Sequence, residues 1–391
     1  MKLPLVKKIL KTAWVRVLLK EKVFTISLML AIATSLVTMP KISYINFNVI
    51  LCLFNLMLVV SAFEDLKLMD KAAITILNKC TNLRYISLIM IALTFVSSML
   101  VTNDVALITF IPLTLIISRK LNVDPVEIII MQTLAANIGS SLTPMGNPQN
   151  LFLFTFYKIS AAQFFKIMIP FIFMGALWLI ILNLKVSKEA FNLQLDDISI
   201  TDKRQVLLFG ALFLVIVLSI FDIVDYKLAF GLTLAVALST NKKLFKRVDF
   251  FLLATFICFF IFIGNISHFE IVNSYLHNIL STKNKTFFTS IALSQFISNV
   301  PASILVANFT DNWKQVLLGV NIGGMGTLIA SLASVISYKL YVNSEQAKKS
   351  SDYMTKFTLY NILGLIIFTV INFILLNIYK INQILYNGIR S

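Results

Sequence analysis

Long apolar runs alternate with short polar breaks along nearly the whole chain. Read as helices, the unbroken runs predict membrane spans over 23–39, 44–63, 161–184, 205–221, 227–240, 248–267 and 357–379. Two further runs, 126–157 and 312–338, are apolar at both ends and polar in the middle. In the first, residues 135–150 include Gly139, Pro144, Gly146 and Pro148. Proline removes a backbone donor and glycine permits non-helical angles, so a broken helix is expected. At membrane depth such a break must be buried in protein or line a watery cavity.

Segments 86–118 and 286–309 have a different pattern: two apolar arms meet at a polar tip. The first tip is Val101-Thr102-Asn103-Asp104-Val105, the second Ile297-Ser298-Asn299-Val300-Pro301. The arms 86–99 and 105–118, if helical, would be about 21 Å long. That is shorter than a ~30 Å hydrocarbon core, so each pair is expected to be a re-entrant hairpin. A single kinked helix is the alternative.

These elements occur twice, in the same order. The tips lie 196 positions apart (299 − 103), and Asn137-Ile138-Gly139-Ser140 matches Asn321-Ile322-Gly323-Gly324 at 184 (321 − 137). Interrupted hydrophobic segments at matching places in two halves point to a transporter's binding site. The expected layout is a first span over 23–43, repeat 1 over 44–184, a loop with linking spans over 185–247, repeat 2 over 248–379 and a tail over 380–391. Residues 1–22 read as a basic, amphipathic interfacial helix.

Composition agrees with the pattern. The chain has 391 residues, 58% of them hydrophobic, and a mean hydropathy of +0.86. These values define a helical, multi-pass membrane protein, all-α in class. The net charge of +16 reflects topology rather than nucleic-acid binding, because no soluble basic domain exists to carry the latter. With the N-terminus in the cytoplasm and both hairpins returning to their own side, 25 of the 34 Lys and Arg fall on the cytoplasmic side and 9 on the other. That split follows the positive-inside rule, and it gives the two halves opposite orientations.

The chemistry expected at the breaks is binding rather than catalysis. Cys52, Cys80 and Cys258 stand singly and suggest neither a disulfide nor a metal site. No nucleophile–base pair is visible. Asn103, Asn137, Asn299 and Asn321 offer amide oxygens to a cation and N–H groups to an anion. Thr102, Ser140, Thr143, Ser298 and Thr327 add hydroxyls, and Gly139, Pro144, Asn147, Gly323 and Gly324 belong to the same breaks. Carbonyls freed at a break can hold Na⁺, with Thr102, Asn103, Asp104, Ser298 and Asn299 as the candidate ligands. Asp104 carries the sharpest expectation. A carboxylate at membrane depth costs roughly 2.5–3.5 kcal/mol to insert, so it is a candidate cation or proton site. Capping the arm that begins at Val105 is the alternative. Glu127, Asp222 and Asp225 read as interfacial; Met145, Phe152 and Phe154 read as lipid or packing contacts.

At these tips and breaks the chain, over roughly 44–379, resembles the ion transporter superfamily. That group includes divalent anion/sodium symporters, citrate transporters, arsenite permeases and one type of Na⁺/H⁺ antiporter. Thr102-Asn103 and Ser298-Asn299 match its Ser-Asn-Thr tips, and the two Asn-Ile-Gly segments match its unwound loops. The resemblance implies inverted repeats in a scaffold and a moving transport domain, elevator-type motion and a homodimer in the bilayer. It also implies a cation between each tip and its loop, with the substrate between the tips. The expected function is secondary transport of a small anionic solute, a di- or tricarboxylate or an inorganic oxyanion, coupled to Na⁺ or H⁺. The expected setting is a bacterial inner or cell membrane. The family's third tip residue, threonine, is Asp104 here in one repeat and Val300 in the other. Asp104 would repel an anion unless neutralised, and an Asn-Asp tip resembles arsenite permeases. Arsenite or antimonite efflux is therefore the second expectation, and Na⁺/H⁺ exchange the third.

Overall fold

The computed structural model describes residues 21–388 except 192, 201, 348 and 349, with side chains given as far as Asn377. The interfacial helix expected over 1–22 lies almost wholly outside the described residues. The described chain is helical, without a named strand.

The helices are α1 (Lys22–Ser35), α2 (Phe47–Asp65), α3 (Leu68–Leu77), α4 (Leu83–Val101), α5 (Asn103–Leu121), α6 (Val126–Gly139), α7 (Pro148–Phe156) and α8 (Ala161–Asn183). They continue as α9 (Lys203–Ile220), α10 (Tyr226–Thr240), α11 (Phe250–Ile266), α12 (Glu270–Ile279), α13 (Lys283–Ile297), α14 (Asn299–Ala307), α15 (Trp313–Gly323), α16 (Leu332–Val342) and α17 (Ser350–Gly388). Among the described residues five are long and apolar enough to cross a membrane by themselves: α2, α4, α8, α9 and α17 as far as Asn377. A sixth crossing is possible if α11 and α12, bent by 101°, are taken together. The protein is an integral, multi-pass membrane protein.

Two bundles result. α1, α2, α9, α10 and α11 pack mainly on one another, and this scaffold is cemented by phenylalanine. The Phe54 ring lies 5.5 Å from Phe230, edge to face, a geometry the ring quadrupole favours. The second bundle holds both hairpins and both broken helices. Within each repeat the first hairpin arm packs on the first half of the broken helix, α4 on α6 and α13 on α15. Between repeats the partners cross: α5 packs on α16, and α14 on α7. This exchange is a pseudo-two-fold relation, and it closes the hairpins and broken helices into a single unit.

Each expected hairpin is a pair of helices joined at its tip. The arms of the first are longer than expected, and α4 alone is long and apolar enough to cross a membrane, so arm length does not mark it as re-entrant. α4 and α5 have 19 residues each, about 28 Å, where sequence suggested 14. The extra turns are the polar base of the hairpin. Asn82 caps α4 by accepting from the Tyr85 N–H, and Arg119 and Lys120 lie in the last turn of α5. The reach of Arg and Lys side chains lets these turns sit at the headgroup level. The tail expected from residue 380 instead continues α17 to Gly388.

A strap of extended chain follows α8. It bridges antiparallel onto the base of the first hairpin at Asn82 and Ala190. The Phe191 N–H donates to Thr81 O at 3.0 Å, and the Leu83 N–H to Glu189 O at 3.0 Å. Farther on, the Asn78 side chain receives the Leu195 N–H at 2.8 Å and donates to Leu195 O at 3.0 Å. The Lys71 ammonium, 2.5 Å from Asp197, holds that carboxyl below its usual range. Asp197 therefore stays charged, and the tie is kept, until the pH falls below the ordinary carboxylate range.

Candidate functional site at the hairpin tips and helix breaks

Each hairpin turns on one residue, and the two turns match. Thr102 has φ 82° and ψ 152°, and Ser298 has φ 74° and ψ 152°. This region is almost reserved for glycine and costs of the order of 1–3 kcal/mol for another residue. The same strained conformation at positions related by the repeat supports a shared task for the tips.

The asparagines that follow begin the second arms and are buried, Asn103 at 5% exposed and Asn299 at 4%. The Asn103 side-chain oxygen accepts the Asp104 N–H at 3.0 Å. Its amide nitrogen donates to the Asn137 side-chain oxygen at 3.3 Å, which joins tip to break. Asn299 lies against the second break, where a Cβ at Gly324 would come 2.8 Å from its amide nitrogen. Ser298 Oγ donates to Ala330 O at 3.4 Å.

The breaks hold each other across the pseudo-two-fold. Asn137 accepts from Ser331 Oγ at 3.0 Å and donates to Ser334 Oγ at 3.4 Å. Its counterpart Asn321 accepts from Asn147 at 3.2 Å and donates to the Asn150 side-chain oxygen at 2.7 Å. Ser331 and Ser334 are Asn147 and Asn150 shifted by the same 184 positions (331 − 147). Asn321 is thus held by two amides and Asn137 by two hydroxyls, so both buried side chains are satisfied, as they must be away from water. Ser141 Oγ adds a bond to Asn321 at 2.8 Å, and Ser140 Oγ accepts from Asn147 at 3.1 Å.

The breaks use proline as expected. Pro144 opens a short 3₁₀ turn and Pro148 opens α7 at its first position, where the missing N–H is harmless. Thr143 Oγ1 donates to Met99 O, and the related Thr327 Oγ1 donates to Gln295 O at 3.0 Å. The glycines at the ends of α6 and α15 act differently from expectation. Gly139 is helical, with φ −57° and ψ −46°; what it supplies is space. A Cβ there would stand 2.3 Å from Phe95 O, and one at Gly323 would stand 2.6 Å from the Ser294 Cβ.

Asp104 lies in the first turn of α5. It does not cap that helix: α5 begins at Asn103, and the Asp104 N–H is itself a donor. One carboxylate oxygen, Oδ1, is buried without a hydrogen-bond partner. A buried carboxylate oxygen without a donor calls for a cation or a proton. The related position in repeat 2, Val300, cannot answer that call, so the two tips are chemically unequal. Among the other acids, Glu127 pairs with Lys356 at 3.1 Å and Asp225 caps α10. Met145, Phe152 and Phe154 are buried in protein packing. Among the described residues no group of three or more His, Cys, Asp or Glu could hold a metal ion.

Sequence reasoning overlooked Ser141, Asn150, Ser331 and Ser334, which hold the two central asparagines, and Gln295. The Gln295 amide donates to Gly323 O at 2.8 Å and Met325 O at 3.1 Å, and its oxygen accepts the Thr327 N–H at 2.9 Å. The offset of 184 was the signal available for Ser331 and Ser334.

Comparison with known proteins decides the family. The citrate transporter family profile matches residues 12–312. The chain belongs to the citrate transporter family. An uncharacterized transporter of Methanocaldococcus jannaschii is 37% identical over 81% of this chain and 87% of its own length. The inner membrane protein YbiR of Escherichia coli is 29% identical over 76% and 80%. Among solved structures, the YdaH transporter of Alcanivorax borkumensis matches with a TM-score of 0.57 at 12% identity, covering 84% of this chain and 85% of that one. That likeness is one of fold. This member of the citrate transporter family is a membrane transporter.

Proposed function

We propose that this transporter is a secondary carrier of a small anionic solute, a di- or tricarboxylate or an inorganic oxyanion, coupled to Na⁺ or H⁺. The observation that carries the reading is the pair of tips, closely matched in backbone angles and docked on two interlocked helix breaks, with an unpaired carboxylate oxygen at one of them. Asp104 and Asn103 take the coupling cation or proton at the first tip. Thr102, Ser298 and Asn299 supply further oxygens. A bound cation cancels the Asp104 charge, and an anion then meets amide and hydroxyl donors instead of a repelling carboxylate. The site bundle moves as a body against the scaffold in an elevator-type cycle. We infer also that the chain works as a homodimer with its N-terminus in the cytoplasm, in the cell membrane.

The test is uptake and charge movement in proteoliposomes with succinate, citrate, sulfate, phosphate and arsenite, each with and without a Na⁺ or pH gradient. The expected outcome is gradient-dependent transport of one anion, at least about tenfold weaker in Asp104→Asn, equivalent to a loss of about 1.4 kcal/mol of coupling. The acid at the tip supports a second reading, efflux of neutral arsenite or antimonite. Transport of neutral arsenite with silence to every anion would replace the first reading. Na⁺-driven pH change without solute would promote ion exchange instead.

A further inference from the structure

At the end of α8 opposite the strap lies an open hollow of about 600 Å³ that the transport cycle does not use. It is framed by the first turns of α8, α13 and α15 and by the side of α17. Lys166, Lys283 and Lys314 line it, and among the described residues no carboxylate does. Lys314 is steadied at the rim, with its Nζ 5.5 Å from the centre of the Trp313 ring. Gln315 also lines the hollow. It is only 7% exposed, yet its side-chain amide makes no hydrogen bond among the described residues. The Gln315 residue is almost enclosed while its amide opens into a cationic hollow, where it can donate to a ligand. Three helix starts add N–H groups and positive dipole ends to the same space.

The hollow is not polar all round. Ile167 and Leu376 form its apolar wall. Beyond them, Ile169 and Phe173 on α8 and Val370 and Ile374 on α17 are exposed. Phe171 and Phe368 hold these two helices side by side, with ring centres 5.4 Å apart. A cationic, amide-lined mouth thus opens onto an apolar seam that faces the bilayer.

We propose that this hollow binds a phosphate-type oxyanion, and that the apolar seam makes an anionic phospholipid headgroup its preferred source over free phosphate. Lys283 and Lys314 neutralise the phosphate, Gln315 donates to one of its oxygens, and the acyl chains lie along α8 and α17. The inference is independent of what the tips transport.

The test is thermal unfolding of the purified full chain in detergent at constant ionic strength. The probes are phosphatidylglycerol, phosphatidylcholine and inorganic phosphate. The proteins are the wild type, Lys283→Gln/Lys314→Gln and Lys41→Gln, the last removing a basic residue elsewhere. Phosphatidylglycerol should raise the midpoint more than phosphatidylcholine in the wild type and in Lys41→Gln. The concentration for half the gain should rise several-fold in the double variant. A gain from inorganic phosphate alone would identify the free anion as the source; a gain from the lipid only would identify the headgroup. A full gain in the double variant, or none from either anionic probe in the wild type, would overturn the site. Unchanged elution and an unchanged midpoint in phosphatidylcholine certify the fold of each variant. Lys314→Gln alone, a change at an exposed side chain, carries the same test if the double variant fails that check.

Discussion

Thr102 and Ser298 hold a backbone conformation that threonine and serine rarely adopt, and they hold it at the same point of two repeats. Strain of this kind persists where the surroundings enforce it, and it is concentrated at functional sites. Thr102→Gly should therefore separate stability from activity. Removing the strain should raise the apparent unfolding free energy by roughly 1 kcal/mol, less the added entropy of the unfolded chain. Gradient-driven uptake should fall, because a glycine tip no longer fixes Asn103 and Asp104. Melting in detergent and uptake in proteoliposomes read the two effects, and a fall in both would mean the hydroxyl matters more than the strain. The helix ends give a second residue-scale prediction. Gly139→Ala drives a Cβ into Phe95 O, a backbone atom that cannot step aside, so the variant should lose about 1–3 kcal/mol. At Gly323 the obstruction is the Ser294 side chain. Gly323→Ala should be comparably unstable, and adding Ser294→Gly should restore much of the loss in melting temperature.

At the scale of elements, the sequence carried the hairpins and breaks because they violate the rule that lipid-facing backbone must be satisfied. A polar tip between apolar arms, or Pro144 and Pro148 inside an apolar run, has few structural solutions in a membrane. Their repetition made the pattern legible twice. The sequence did not reveal which tip residue takes the left-handed angle, since Thr102 and Ser298 are not glycines. The serines Ser331 and Ser334 were hidden because they replace asparagines, so the spacing is kept while the residue type is not. The strap was illegible for a different reason. Its pairing of Ala190 with Asn82 depends on loop register across more than a hundred positions, and no local propensity encodes that. The strap makes an element-scale prediction. It ties α3 and the base of the first hairpin into one piece through Asn78, Asn82 and Lys71. A disulfide between Asn82→Cys and Ala190→Cys, in a background lacking Cys52, Cys80 and Cys258, joins facing residues of an antiparallel bridge, within disulfide reach. Uptake should survive oxidation of that pair. Loss of uptake that returns on reduction would mean that the strap detaches during the cycle.

At the scale of the whole molecule the question is which surfaces slide. The scaffold touches the site bundle through α2 against α7 and α11 against α14. A hollow of about 270 Å³ also remains between the end of α2 and the middle of α5, lined by Phe63, Glu64, Ile108 and Thr109. Glu64 belongs to the scaffold, where Arg247 approaches it at 3.8 Å, and Thr109 belongs to the first hairpin. If the site bundle moves as one body, this gap must change as the tips cross the membrane, whereas the gap between strap and hairpin base must not. A short bis-maleimide bridge between Glu64→Cys and Thr109→Cys should therefore stop uptake almost completely, while each single variant treated with the same reagent keeps most of its activity. The pair of cross-links is more informative than either alone. Arrest at Glu64–Thr109 with survival at Asn82–Ala190 places the sliding surface between α2 and the hairpin. Survival at both would show that the scaffold and the first hairpin stay together, and it would replace the elevator reading with gating by the tips themselves.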